Sequence, residues 1–137
     1  MPARKASYDY ALIRVVPRVE RGECMNVGVI LFCRTRAFLG ARIALDETRL
    51  LAFFYSAGVD DIRAQLHAIA KIVEGDKEAG PIGALSQAER FHWLVSPRST
   101  IVQPSPVHSG LCDDPAAVLE HLFQTMVLLP STAEDTV

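Results

Sequence analysis

The spacing of the apolar residues changes near Leu45, and this change most constrains the fold. Before it, three apolar runs rich in β-branched and aromatic residues predict strands over 8–16, 27–33 and 39–45. The connections between these runs are short, which favours an antiparallel β-meander. The middle run is apolar on both faces, so we expect it to be the central strand and to be covered on both sides.

After Leu45 the apolar residues recur at intervals of three and four, which indicates helices. Each predicted helix begins at a residue whose side chain can accept a hydrogen bond from the first turn. These capping residues are Asp46, Asp60 or Asp61, Ser86 and Asp114. Ser86 and Glu89 have the spacing of a capping box, and Pro115 occupies the first helical position after Asp114. A short extended segment is predicted at 99–102. The sequence therefore predicts an α+β fold, with an antiparallel β-meander of about three to four strands packed on one face by three to four helices.

The length and composition fit one globular domain. The chain has 137 residues, of which 50% are hydrophobic and 22% are charged. We expect a single domain over 1–137, with an ordered core at about 8–129 and flexible tails at 1–6 and 131–137. No apolar run approaches the ~20 residues of a membrane-spanning helix, and the N-terminus lacks a signal-peptide pattern. We therefore expect a cytoplasmic protein without a membrane segment.

The cysteines and histidines lack the spacing of a ligand set. Cys24, Cys33 and Cys112 include no C-x-x-C pair, which favours reduced thiols over a disulfide framework or a zinc site. The glycine patterns of dinucleotide sites and P-loops are absent as well. The sequence predicts no metal and no cofactor.

The charged residues are unevenly distributed along the chain. Residues 1–42 carry eight basic and three acidic side chains, whereas residues 43–137 carry six basic and thirteen acidic ones. Such asymmetry can mark an anion-binding surface, or it can mean that the two halves of one domain attract each other.

Alternation along the strands predicts two different sheet faces. If both hairpin loops hold an odd number of residues and no bulge intervenes, side chains of like parity share a face. The odd-numbered face is then aliphatic and suited to helix packing. The even-numbered face mixes rings with guanidinium groups, and its candidate residues for binding a protein partner are Tyr8, Tyr10, Arg34 and Arg42.

Two other interpretations of the even-numbered face stay open. The rings could stack the bases of single-stranded nucleic acid, although the negative net charge argues against that ligand. Alternatively, the C-terminal half could cover this face and pair its acidic residues with the arginines.

Two polar stretches could form a ligand site. We expect them to approach each other beside the sheet, with Arg14 pairing with Glu23 and Arg98 binding an anionic group. The candidate ligand-binding residues are Arg14, Glu23, Asn26, Arg98, Ser99, Thr100 and His108. The structural alternative is a salt-bridged turn before the central strand and a polar loop anchor at His108. Catalysis has little motif support, because Ser109 does not lie in a G-x-S-x-G pattern.

Two groups of segments together resemble a bacterial family catalogued as domain of unknown function 3037. The first group comprises 8–17, 21–23 and 26–31, and the second comprises 97–100, 108–110 and 114–115. Cys24 departs from the aromatic or aliphatic residue expected at its position. The resemblance implies no established activity, cofactor or catalytic residue. It does imply a small cytoplasmic protein, in some cases encoded beside a kinase-fold protein that resembles the toxin kinases of persistence modules.

These observations favour a non-enzymatic interaction or regulatory module whose partner is a kinase-fold protein or a second copy. The first alternative is a small enzyme or ligand-binding protein that uses the loop of Arg98 and His108 for an anionic substrate. The second alternative is a single-stranded nucleic-acid binder. The sequence leaves enzymatic activity open.

Overall fold

The computed structural model describes residues 5–129 of the chain. The five strands are β1 (Ala6–Val15), β2 (Met25–Cys33), β3 (Phe38–Ile43), β4 (Val102–Pro104) and β5 (His108–Cys112). The four α-helices are α1 (Glu47–Phe53), α2 (Val59–Glu74), α3 (Gln87–Leu94) and α4 (Pro115–Met126). Short 3₁₀ segments lie at Val19–Arg21 and Lys77–Ala84. The predicted α+β class with an antiparallel sheet is confirmed.

The sheet contains the predicted meander and two further short strands. Its order is β3, β2, β1, and both β4 and β5 pair with the free edge of β1. β4 lies opposite residues 13–15 of β1, and β5 lies opposite residues 6–10. All of these pairings are antiparallel. The predicted extended segment at 99–102 overlaps β4 only at Val102.

The predicted parity of the sheet faces is wrong. Ile30 of β2 lies opposite Ala11 of β1 and Ala41 of β3, so even-numbered residues of β2 share a face with odd-numbered residues of its neighbours. Neither condition of the prediction holds. A bulge shifts the register of β1 and β2 beside Ile13, and the connection from β2 to β3 holds an even number of residues, 34–37.

Helices cover both faces of the sheet, not one. Ile30 packs with the buried residues of α2 and α3, such as Leu66 and Phe91. Leu31 points to the opposite face and packs with Leu119 of α4. The expectation that the middle run forms a central strand covered on both sides is confirmed, since β2 is buried along almost its whole length.

Side-chain caps start three of the four helices, as the sequence predicts. Asp46 accepts a hydrogen bond from Arg49 N–H, and Asp114 accepts one from Ala116 N–H. Ser86 caps α3 as predicted, since its Oγ accepts from Glu89 N–H, and the Glu89 carboxylate accepts from the Ser86 hydroxyl. The exception is α2, which begins at Val59, before the predicted acidic caps, and has no side-chain cap.

The predicted N-terminal tail at 1–6 overlaps the first strand. Ala6 opens β1, is buried and lies opposite Cys112, so the ordered part of the chain begins before residue 8. Lys5, in the same predicted tail, forms an exposed ion pair with Asp113. Residues 1–4 of that tail and the predicted C-terminal tail at 131–137 lie outside the described residues.

Candidate functional site

Arg14 and Asn26 lie opposite each other where β1 ends and β2 begins. Asn26 Nδ2 donates a hydrogen bond to the carbonyl oxygen of Met126 at 3.1 Å, which holds the last turn of α4 against the sheet. Arg14 Nη1 contacts the sulfur of Cys24 at 3.8 Å. Because paired residues share a face, Arg14 and Asn26 both belong to the α4 side of the sheet.

Glu23 forms an ion pair with Arg21, whereas the predicted partner was Arg14. Arg18 and Glu20 form a second ion pair in the same connection, at 3.4 Å. All four side chains are largely exposed, so these ion pairs add little stability. This arrangement matches the salt-bridged turn considered as the structural alternative.

Arg98 and Thr100 lie on the other side of the sheet, near the buried Val102. The guanidinium group of Arg98 lies over the Trp93 ring, 4.8 Å from its centroid, and donates to the Trp93 carbonyl oxygen at 2.8 Å. Thr100 Oγ1 donates to the carbonyl oxygen of Val102, and Ser99 is exposed. Arg98 and Thr100 line a cavity of about 230 Å³ against α2.

His108 lies in a third place, on β5 opposite Tyr10, with ring centroids 5.4 Å apart. Four positions of β1 separate Tyr10 from Arg14, which is about 13 Å at ~3.3 Å per residue. The structure therefore does not gather the seven candidate residues into one polar site.

The segments 8–10 and 108–110 pair residue for residue on neighbouring strands. Asp9 lies opposite Ser109, whose hydroxyl donates to Asp9 Oδ1 at 2.6 Å. Tyr8 lies opposite Gly110, and burial raises the pKa of the Tyr8 hydroxyl. These contacts give both segments a structural role, because together they attach β5 to the sheet.

Helix α4 occupies the sheet face that the sequence offers to a partner. The guanidinium group of Arg42 lies over the ring of Phe123, 4.4 Å from its centroid, and pairs with the carboxylate of Glu120. Tyr8 and Tyr10 are half-buried against the same cluster of α4 residues. For Arg42, the interpretation in which an acidic residue of the C-terminal half pairs with the arginine is confirmed.

Arg34 does not belong to that covered face. It lies in the connection between β2 and β3, where its carbonyl oxygen accepts a hydrogen bond from Ala37 N–H, and its side chain is exposed.

A pocket of about 280 Å³ opens at the end of the sheet where β1 leads into β2. We call it the sheet-end pocket, and its lining residues are Pro17, Arg18, Arg21, Glu23, Phe53 and Phe54. Arg18 lies over the Phe54 ring, 5.4 Å from its centroid. Of the sequence-predicted site residues, Glu23 alone lines this pocket. The aromatic residues were missed because they end a predicted amphipathic helix, where the pattern favours burial.

Most of the exposed hydrophobic side chains lie on the elements that form this end of the sheet. Among the described residues, seven of the eleven exposed large hydrophobic side chains lie on the connection between β1 and β2, on or just after α1, or at the end of α4. We call them the sheet-end patch, and they are Val19, Leu51, Phe53, Tyr55, Met126, Leu128 and Leu129. A smaller cavity lined by Arg49, Leu128 and Leu129 links α1 to the end of α4.

Two searches of residues 5–129 gave negative results. No group of three or more His, Cys, Asp and Glu side chains is placed to hold a metal ion. None of the helices in this range is long and apolar enough to cross a membrane.

Neither a curated protein nor a solved structure matches this chain. A family model matches residues 10–127, which include all of the segments on which the resemblance rests except residues 8 and 9. The chain therefore belongs to the family described as protein of unknown function (DUF3037).

Proposed function

We propose that this protein is a non-enzymatic interaction module that binds a partner protein through the sheet-end pocket and the sheet-end patch. The observation that carries the proposal is the concentration of exposed hydrophobic side chains at one end of the sheet. Exposed apolar side chains on neighbouring elements are a mark of interaction sites in soluble proteins.

The pocket suits one large apolar or aromatic side chain of the partner. Its volume of about 280 Å³ exceeds the ~150 Å³ of an apolar cavity that holds benzene. Phe53 and Phe54 supply apolar wall, and the guanidinium groups of Arg18 and Arg21 can lie over an inserted ring. An aromatic anchor in a pocket, with charged groups around it, is the usual centre of a protein–protein interface.

The partner that we propose is the kinase-fold protein suggested by the family resemblance. The proposal requires that this protein present an aromatic or large aliphatic side chain on an accessible segment. A regulatory role follows if the bound segment belongs to a functional part of the kinase fold.

The alternatives have less support. Arg98 already donates to the Trp93 carbonyl oxygen, and His108 lies on a different strand against Tyr10. A shared anion site would need both side chains to move. Stacking of nucleic-acid bases on the sheet would need α4 to leave the face that holds Arg42.

The test uses calorimetric titration of the full chain with the purified kinase-fold protein. Val19→Asp places a charge in the sheet-end patch, on a 3₁₀ segment with no buried residue, so the variant should fold. Val107→Asp is the matched control, because Val107 and Val19 are 44% and 42% exposed and only Val19 belongs to the patch. We expect Val19→Asp to weaken binding at least tenfold and Val107→Asp to leave it unchanged.

Equal affinities for the wild type and Val19→Asp would overturn the assignment of the surface. If the kinase-fold protein does not bind, the same variants are compared by cross-linking in lysate of the native host. The absence of any protein captured by the wild type and lost with Val19→Asp would then overturn the interaction module itself.

A further inference from the structure

Strand β5 leaves one edge of the sheet open. Within residues 5–129, β5 pairs with β1 on one side, and no strand lies on its other side. Leu111 is 68% exposed and Val107 is 44% exposed, although both are large and apolar. An open edge offers unpaired backbone N–H and C=O groups to another strand.

The two halves of this edge differ in how well they are protected against pairing with another strand. The β4 half carries Pro104, and Pro106 follows in the connection, so two backbone donors are missing there. The β5 half, His108–Cys112, contains no proline, lysine, arginine or carboxylate. Proteins usually blunt exposed edge strands with such residues, and β5 lacks them.

We infer that β5 pairs antiparallel with β5 of a second copy of this chain. Gly110 is the middle residue of the strand, so a two-fold axis beside it uses the whole strand. In that register Ser109 lies opposite Leu111 of the second copy. Leu111 then has Leu111 and Val107 of the second copy as its diagonal neighbours on the same face. The pairing covers the exposed apolar side chains of the edge with their own counterparts.

The charges and the space at the axis are compatible with this symmetry. A two-fold axis brings like residues together, and residues 107–112 contain no Asp, Glu, Lys or Arg that would repel its counterpart. Gly110 places no side chain at the axis. The interface is short, because it is centred on five residues per copy, so we expect a weak dimer whose population rises with concentration.

The experiment is sedimentation velocity over a wide concentration range, combined with amide hydrogen exchange at the two ends of that range. The wild type should shift from monomer toward dimer as concentration rises, and the amides of 107–112 should gain protection. Leu111→Lys places a charge on the edge and should remain monomeric at all concentrations. Tyr55→Lys, an 87% exposed site in the sheet-end patch, is the matched control and should dimerise like the wild type. Circular dichroism checks that both variants fold.

A wild type that stays monomeric throughout the range would overturn the inference. So would a dimer that survives Leu111→Lys but is lost with Tyr55→Lys, because that dimer would use the sheet-end patch. The inference does not rest on the proposed function, since the kinase-fold protein is absent from this experiment and the sheet-end pocket contains no residue of β5.

Discussion

The ring of Tyr8 lies over Gly110 so closely that a Cβ atom at residue 110 would be 2.5 Å from the Tyr8 hydroxyl oxygen. The two residues face each other across the pairing of β1 and β5. Glycine is required here for its missing side chain and not for its backbone freedom, because its φ is not positive. The Tyr8 ring fills the space that a side chain at residue 110 would take.

We therefore expect Gly110→Ala to lower the free energy of unfolding by about 1–3 kcal/mol, as overpacking usually does. Chemical denaturation checks this value. In a Tyr8→Ala background the same change should cost much less, since the opposing ring is gone, and the double-mutant cycle isolates that coupling. Additive effects of the two substitutions would show that the close contact is not the cause.

The strands of the meander and the helix caps can be predicted from local sequence, whereas β5 cannot. Residues 108–112 are His-Ser-Gly-Leu-Cys, which neither alternate nor favour a strand. They become a strand because β1 offers its free edge and because Tyr8 and Asp9 hold Gly110 and Ser109. Such long-range pairing leaves no periodic signal in the sequence.

The candidate site was only partly predictable, because its geometry also depends on contacts between distant parts of the chain. The connection at 18–23 was identified from its polar residues, but a one-residue bulge beside Ile13 reversed the parity of β2 relative to β1. That reversal placed the apolar Val29, Leu31 and Cys33 of β2 on the face that carries the rings and arginines of β1 and β3, and α4 packs on this face. The pocket wall from α1 could not be foreseen, because it depends on where Phe53 and Phe54 lie relative to Arg18.

Ser105 should be important for stability, because it bridges the interruption between β4 and β5. Its side chain is 5% exposed, and its Oγ accepts from Leu12 N–H at 2.7 Å and donates to the Pro106 carbonyl oxygen at 2.8 Å. Ser105→Ala leaves the Leu12 N–H without this acceptor, so we expect a loss of about 1–3 kcal/mol in denaturant unfolding. Ser99→Ala, at an exposed site, is the control and should change stability by less than ~0.5 kcal/mol. Equal effects at the two sites would contradict the assignment.

Arg42 should help to hold α4 on the sheet. Its stacking on Phe123 and its ion pair with Glu120 are both partly exposed, so we expect Arg42→Ala to cost only about 1 kcal/mol. The loss should appear as faster amide exchange in α4, with little change in α2. High salt should weaken the contribution of Glu120 and leave the ring contact. Unchanged exchange in α4 would mean that the arginine is not part of the helix contact.

The three thiols should react with iodoacetamide in a fixed order. Cys24 is exposed, whereas Cys33 and Cys112 are buried, and burial is the main cause that raises the pKa of the Cys112 thiol. The native protein should therefore be modified at Cys24 alone, with the other two thiols reacting only in denaturant. Mass spectrometry after timed quenching measures the order. Early modification of Cys112 would show that the contact of α4 with the sheet opens readily.

Asp76 should make stability depend on pH in the acid range. Hydrogen bonds from Glu78 N–H and from Lys71 Nζ lower the pKa of this carboxyl from its usual value. A folded-state pKa below the unfolded value stabilises the protein above that value, and the stabilisation is lost as the pH falls through the folded-state pKa. Thermal unfolding from pH 5 downward should therefore show a steeper loss for the wild type than for Asp76→Asn. Lys71→Met should keep part of the acid dependence, since the bond from Glu78 N–H remains. If Asp76→Asn and the wild type lose stability in parallel, other carboxyl groups cause the acid dependence.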